Sequence, residues 1–301
     1  MWVSKRRRII DIATREVITT APGTPVKALC DLMMRTGKRK IPVVDVLNHV
    51  KGIVTSGDLI NYFGGGEKYL IMERDYKGNF LSGINAPTSK IMTTNVFFVN
   101  EDEPVASVAD KMLYQYFGGM PVLDKEAKIV GIVTEQDFIR PLAGEKFNFP
   151  VRNAMSKKVI TITPNTAIKD ATRVMCANQL RRLPVVSEHR IEGMVRSYDI
   201  LKFISDAEFA KFHTSKADVI LSEIASNVMS TDVYAIDEEL DLGDLITLFK
   251  KKRVGGFPVV KGDRLMGIIT ERDVFRAIYS TLRMQYPKKF NEVVFTLFHE
   301  K

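Results

Sequence analysis

The chain has 301 residues, 45% apolar and 27% charged, with a formal net charge of +8. That balance excludes a disordered or low-complexity chain, and the sequence has no apolar run near the ~18 residues of a membrane span. The excess of Lys and Arg favours anionic partners, whether nucleotides, nucleic acid or an acidic protein face, without choosing among them.

The N-terminus "MWVSKRRRII" is basic but is followed by no long apolar stretch or small-residue cleavage site, so no signal peptide is expected. Cys30 and Cys176 each fall in a helical apolar pattern. They read as buried, reduced thiols of a cytoplasmic protein rather than as a disulfide.

In chain order, a β-like run "VITT" begins at Val17, and Val26, Leu29, Cys30 and Met33 then make an apolar helix face at i, i+3, i+4, i+7. Pro25 suits the first helical turn, as Pro104 does later, with Thr24 as cap. Two short strands follow, "IPVV" from Pro42 and the run ending in "GIVTSGD" (52–58), before a helix-like "DLINYF".

The same succession returns from Val96, with helix face Val105, Val108, Ala109 and Met112, then Pro121 and "GIVTEQD" (131–137). It returns from Val159, with Ile168, Ala171, Thr172 and Met175, then Pro184 and "GMVRSYD" (193–199). The fourth copy runs from Val233, with Leu242, Leu245, Ile246 and Phe249, then Pro258 and "GIITERD" (267–273).

Valine and proline stand 25 residues apart every time, and the proline-to-glycine distance is 10, 10, 9 and 9. These are internal repeats of an α/β unit, strand–helix–strand–strand–helix. A unit of ~50 residues makes a poor core alone, so the units should pair.

The long connections lie between repeats one and two and between three and four. The expected domains are therefore 1–145, with repeats at about 9–63 and 88–142, and 146–301, with repeats at about 150–205 and 224–282 plus a C-terminal tail. The boundary is expected in "LAGEKFNFPV", 142–151.

Four in-register heptads, each behind a proline strand, resemble the cystathionine-β-synthase (CBS) domain with its terminal G-h-x-[ST]-x-x-D motif; three fit it fully and the third has Arg196 at the hydroxyl position. The likeness covers nearly the whole chain up to about residue 283. With the connection "FGGGEKY…NFLSGINAP", the chain is similar to archaeal four-CBS proteins that look like the γ regulatory subunit of AMP-activated protein kinase. The resemblance implies α+β CBS repeats, two paired-CBS (Bateman) modules stacked as a disc, and binding of AMP, ADP or ATP without chemical conversion.

On that footing Asp58, Asp137, Asp199 and Asp273 are candidates for the ribose, because one carboxylate can accept from both ribose hydroxyls. The competing reading is that they only cap helices, and both roles can coexist. Thr55, Thr134 and Thr270 offer hydroxyls for phosphate near helix N-termini. Repeat three instead has Arg196, followed by Ser197, as its phosphate candidates; Arg196 either alters phosphate preference there, the favoured reading, or fills the pocket.

Before the proline, repeats one and three carry Arg39–Lys40 and Arg181–Arg182, where repeats two and four carry Gly118–Gly119 and Gly255–Gly256. In the γ family basic residues at these positions face phosphates. The base pocket falls to Thr20, Ile41 and Pro42 and to Ile162, Leu183 and Pro184.

"GGGEKY" lacks the P-loop pattern, and His49, His189, His213 and His299 show no ligand spacing, so no metal site and no catalytic pair is expected. The reading is a non-catalytic energy sensor that acts on a regulated, kinase-like partner, as a monomeric disc or a homodimer. The alternatives are nucleic-acid binding through "KRRR" (5–8) and an S-adenosyl ligand, which the same ribose carboxylate would serve.

Overall fold

The computed structural model describes residues 7–285 except 116, 189 and 263. The apolar tail Val293–Phe298, Lys5 and Arg6 of the basic arm, and His189 and His299 lie outside the described residues.

Repeat one contains α1 (Val26–Thr36), β1 (Lys40–Val44), β2 (Val50–Thr55) and α2 (Ser56–Ile60). Its connection to repeat two holds a π-turn over Asn61–Gly65, then α3 (Tyr69–Tyr76) and α4 (Phe80–Ile84). Repeat two contains β3 (Val99–Asn100), α5 (Val105–Gln115), β4 (Gly119–Leu123), β5 (Ile129–Thr134) and α6 (Glu135–Ile139). Repeat three has α7 (Ile168–Ala177), β6 (Arg182–Ser187), β7 (Arg190–Arg196) and α8 (Ser197–Ser205), followed by the short α9 (Ala217–Ile220) and α10 (Ala225–Val228). Repeat four has β8 (Ile236–Asp237), α11 (Leu242–Lys252), β9 (Gly256–Lys261), β10 (Arg264–Thr270) and α12 (Glu271–Gln285).

The apolar faces expected of α1, α5, α7 and α11 are buried as spaced. Thr172, the one polar member, is fully buried and donates its hydroxyl to the Lys169 carbonyl at 2.8 Å, which removes the cost of its burial. Pro25 occupies the N-cap position of α1 rather than its first turn. Thr24 does not cap the helix; its carbonyl accepts from Thr88.

The leading runs are shorter than the sequence suggests. Pairing begins only three residues after each valine, at Thr20, Val99, Ile162 and Ile236, in parallel with the proline strand. The proline strand then pairs antiparallel with the glycine strand, as in Lys40↔Thr55 through Val44↔Val50. Each repeat thus carries a small mixed sheet.

The chain forms two compact units. One, the odd unit, comprises Ile18–Val96 and Ile160–Val233, the bodies of repeats one and three. Within it α1 and α2 pack against α8, and α7 packs against the Asn61–Gly65 turn. The other, the even unit, comprises Phe97–Val159 with the described parts of Met1–Val17 and Tyr234–Lys301. Within it α12 packs on α5 and α6.

Compactness therefore groups alternate repeats, and the segment 142–151 runs inside the even unit. There Phe147 and Phe149 donate their backbone N–H groups to Asp241 at the start of α11.

Within each unit the leading segments form further bridges. The segment leading repeat two bridges β2 at Thr93–Ile53, and that leading repeat one bridges β5 at Thr14–Ile132. Ser156–Ile268 and Ser230–Met194 do the same for repeats three and four.

Candidate functional site

In every repeat the last strand runs straight into a helix, and the aspartate that ends the heptad falls at N3. This spacing makes a capping box. Thr55 precedes α2 and donates its backbone N–H and its hydroxyl to Asp58 Oδ2, both at 2.7 Å, while its Oγ1 accepts from the Asp58 N–H at 3.2 Å. Thr134 donates to Asp137 Oδ2 at 2.7 and 2.9 Å, and Thr270 to Asp273 Oδ2 at 2.8 and 2.6 Å. The threonine proton is thus directed at the carboxylate, and its first task is to hold Oδ2 in place.

Arg196 takes the threonine's position at the start of α8 with the same backbone bond, N–H to Asp199 Oδ2 at 2.7 Å. Its guanidinium folds back as a fork, Nε to Oδ2 at 2.9 Å and Nη2 to Oδ1 at 2.7 Å. This hydrogen bonding to Asp199, above all, pushes the guanidinium pKa up, against a smaller opposing effect of burial. Asp199 is buried, at 7% exposure, with the guanidinium as its ion-pair partner. Arg196 therefore occupies both oxygens of its own repeat's carboxylate.

Asp58 has a partner that sequence reading missed. Its Oδ1 accepts from Lys68 Nζ, and from Thr93 Oγ1 at 3.4 Å. Lys68 comes from "GGGEKY", which is no P-loop but a turn built for close approach. Gly64 has φ +104°, and a Cβ on Gly65 would lie 2.5 Å from Cys176 Sγ and 2.6 Å from the Thr172 carbonyl.

Strand pairing places the basic residues opposite the residues that begin these capping boxes. Lys40 pairs with Thr55 and Arg182 with Arg196, and the carbonyls of Arg39 and Arg181 accept from Ser56 N–H and Ser197 N–H, both at 2.9 Å. In the even unit Gly119 pairs with Thr134 and Gly256 with Thr270. Ser197 is buried, its hydroxyl 3.4 Å from that of Ser56. The matching positions of the even unit are Glu135 and Glu271, both buried. Arg272 donates to Glu135 at 2.9 Å and Gln136 to Glu271. Of the heptad's fifth residues only Ser197 stands out in sequence; Ser56, Glu135 and Glu271 do not, because their partners lie on a distant repeat.

Thr20 and Ile162 lend backbone groups to pairing: Thr20 N–H to Pro42 O at 3.0 Å, and Ile162 N–H to Pro184 O at 3.0 Å. Ile41 and Leu183 are fully buried core residues behind those strands, while Pro42 and Pro184 are buried on them. The residue after the leading valine is aliphatic in the odd unit, Ile18 and Ile160, and aromatic in the even unit. There Phe97 is half-exposed with its ring 4.4 Å from that of Phe117, and Tyr234 lies under Lys252 at 4.4 Å.

Comparison with known proteins agrees with this layout. A model of the CBS domain matches residues 9–65, 89–144, 151–206 and 224–280. Protein MJ1225 of Methanocaldococcus jannaschii is 33% identical over 274 residues, 89% of this chain and 98% of that one. Its crystal structure, described as that of a candidate archaeal homologue of g-AMPK, superimposes with a TM-score of 0.85 over 90% of this chain and 100% of its own. A 33.4 kDa protein of the ribosomal RNA operon of Thermofilum pendens is 27% identical over 80% of this chain and 81% of its own. A Pyrococcus horikoshii protein at 20% identity shares the fold, with a TM-score of 0.57 over 90% of this chain and 100% of its own.

Proposed function

The chain belongs to the CBS domain family, in four repeats, and from that premise we propose that it is a non-catalytic regulatory protein that binds AMP, ADP or ATP. The observation that carries the reading is the shared geometry of the heptad. One carboxylate oxygen is pinned by the capping box, as in Thr55–Asp58, and in the odd unit the other oxygen takes a cationic donor, Lys68 on Asp58 and Arg196 on Asp199. A ribose presents two adjacent hydroxyl donors to such an oxygen. Arg39, Lys40, Arg181 and Arg182, one residue or strand away, supply charge for phosphates. Thr20, Pro42, Ile162 and Pro184 line the base side, with Ile41 and Leu183 shaping it from behind.

The consecutive pairs 1–145 and 146–301 are the proposed ligand modules. Exchange of one nucleotide for another shifts the arrangement a partner reads, provided the two states differ in affinity. Likeness to the candidate g-AMPK homologue supports a kinase-like partner.

Calorimetric titration with AMP, ADP and ATP, on protein shown by mass spectrometry to carry no co-purified nucleotide, tests the proposal. Binding is expected from at least one nucleotide, and Asp137→Ala or Asp273→Ala should weaken its own site by about tenfold or more, the worth of a charge-assisted hydrogen bond. Absence of heat from all three removes the reading, and unchanged affinity in both variants removes the ribose role.

A further inference from the structure

The glycine-rich connection after repeat one delivers a single ammonium to the candidate ribose carboxylate. Lys68 Nζ donates to Asp58 Oδ1 and to the Ile91 carbonyl at 2.5 Å. Its backbone N–H is held by Asn61 Oδ1 at 2.6 Å, and the Gly64–Gly65 turn that sets its approach is packed against α7. Both partners are largely buried, with side-chain exposures of 15% for Asp58 and 24% for Lys68. This is a positioned pair, not a loose surface contact.

Resting on the ribose reading of Asp58, we infer that Lys68 is a charge-exchange residue that selects phosphorylated nucleosides over unphosphorylated ones at repeat one. A ribose reaching Asp58 Oδ1 must take the place of the ammonium. The ribose is neutral, so the displaced ammonium loses its counter-charge in a largely buried setting, where an unpaired ion is costly. A phosphate on the same ligand restores it. Asp58 passes from ammonium to ribose hydroxyls, Lys68 passes from carboxylate to phosphate, and no buried charge is left alone. A bare nucleoside brings no anion, so it does not complete the exchange. Repeat three repeats the theme with a different residue, the Arg196 fork on Asp199.

The test compares adenosine with AMP by calorimetry on the full chain. Lys68→Met keeps the aliphatic stem and removes the competitor, so adenosine binding should tighten by about tenfold while AMP binding weakens or holds. Adding Asp58→Asn should abolish the gain, which places it at repeat one, and Lys68→Arg should keep the preference for AMP. Adenosine binding that is unchanged or weaker in folded Lys68→Met overturns the inference.

Should Lys68→Met fail to fold, Lys68→Gln, which removes the charge but keeps a polar end, takes its place: tighter adenosine binding is expected, and unchanged or weaker binding overturns the inference. If AMP and adenosine both fail to bind the wild-type chain, the nucleotide reading falls first. If AMP binds and adenosine shows no gain, only the role of Lys68 falls.

Discussion

Replacing Arg196 with threonine gives repeat three the capping box of the other repeats and tests what its fork does. In the wild-type chain Asp199 accepts from Arg196 N–H, Nε and Nη2 at 2.7, 2.9 and 2.7 Å. In Arg196→Thr the backbone bond stays and a hydroxyl replaces Nε at Oδ2, as at 2.6–2.9 Å in the other three repeats. The Nη2 contact at Oδ1, the oxygen a ribose would use, disappears.

Two unit charges 4 Å apart interact by about 4 kcal/mol at an effective dielectric constant of ~20. The Arg196 side chain is 35% exposed, so solvent screening reduces the net worth of the pair to about 1–2 kcal/mol. A neutral ribose freed from that competition should bind about 5- to 30-fold more tightly at repeat three. Adenosine is the appropriate probe, because it responds to the carboxylate and not to the arginine's charge. Calorimetry should show a tightened or additional adenosine site in Arg196→Thr, with loss of the gain in Arg196→Thr/Asp199→Asn. Unchanged stoichiometry and affinity would refute the argument. Weakened ATP binding alongside the adenosine gain would mark Arg196 as a phosphate partner after displacement.

Two further expectations concern stability. Gly65→Ala puts a methyl within 2.7 Å of two backbone carbonyl oxygens and 2.5 Å of Cys176 Sγ, and should cost about 3 kcal/mol in urea unfolding. A loss below ~0.5 kcal/mol would mean that the turn and α7 separate easily. Asp241 accepts from the N–H groups of Gly243, Phe147 and Phe149 at 2.9, 3.2 and 3.0 Å. Burial, its largest single influence, pushes its pKa up, but these bonds and Lys146 together outweigh it and hold the carboxyl below its ordinary value. A depressed folded pKa means stability that is fully present above the unfolded value of ~3.9 and lost as pH falls through the folded one. Asp241→Asn should therefore lose about 1–2 kcal/mol at neutral pH, with the deficit shrinking in acid; a pH-independent deficit would show that charge is not the cause.

The parts of the site legible in sequence are those made by near neighbours. A threonine and an aspartate three apart at a strand–helix junction can hardly avoid the capping box, so the Thr55–Asp58 arrangement followed from spacing alone. Strand register likewise set Lys40 opposite Thr55 and Arg182 opposite Arg196 once the proline and glycine strands were paired. The fork of Arg196 was less legible, because a side chain of that length reaches either its own carboxylate or an outside anion. The short leading strands were overread, since "VITT" and "VITI" have strand-like composition but only one residue in each lies beside the proline strand.

The amino-acid order by itself determined the four repeats, their α/β units and the four carboxylates, because each rests on periodicity or on contacts a few residues apart. Tertiary structure alone decided that repeats one and three share a compact unit, and two and four the other. The apolar faces of the helices are chemically alike, and nothing in their spacing names a partner. It alone also decided that Lys68 reaches Asp58. That contact needs the left-handed backbone at Gly64, the close packing of Gly65 on α7 and the Asn61 bond all at once. A pattern of residue types cannot express such a conjunction.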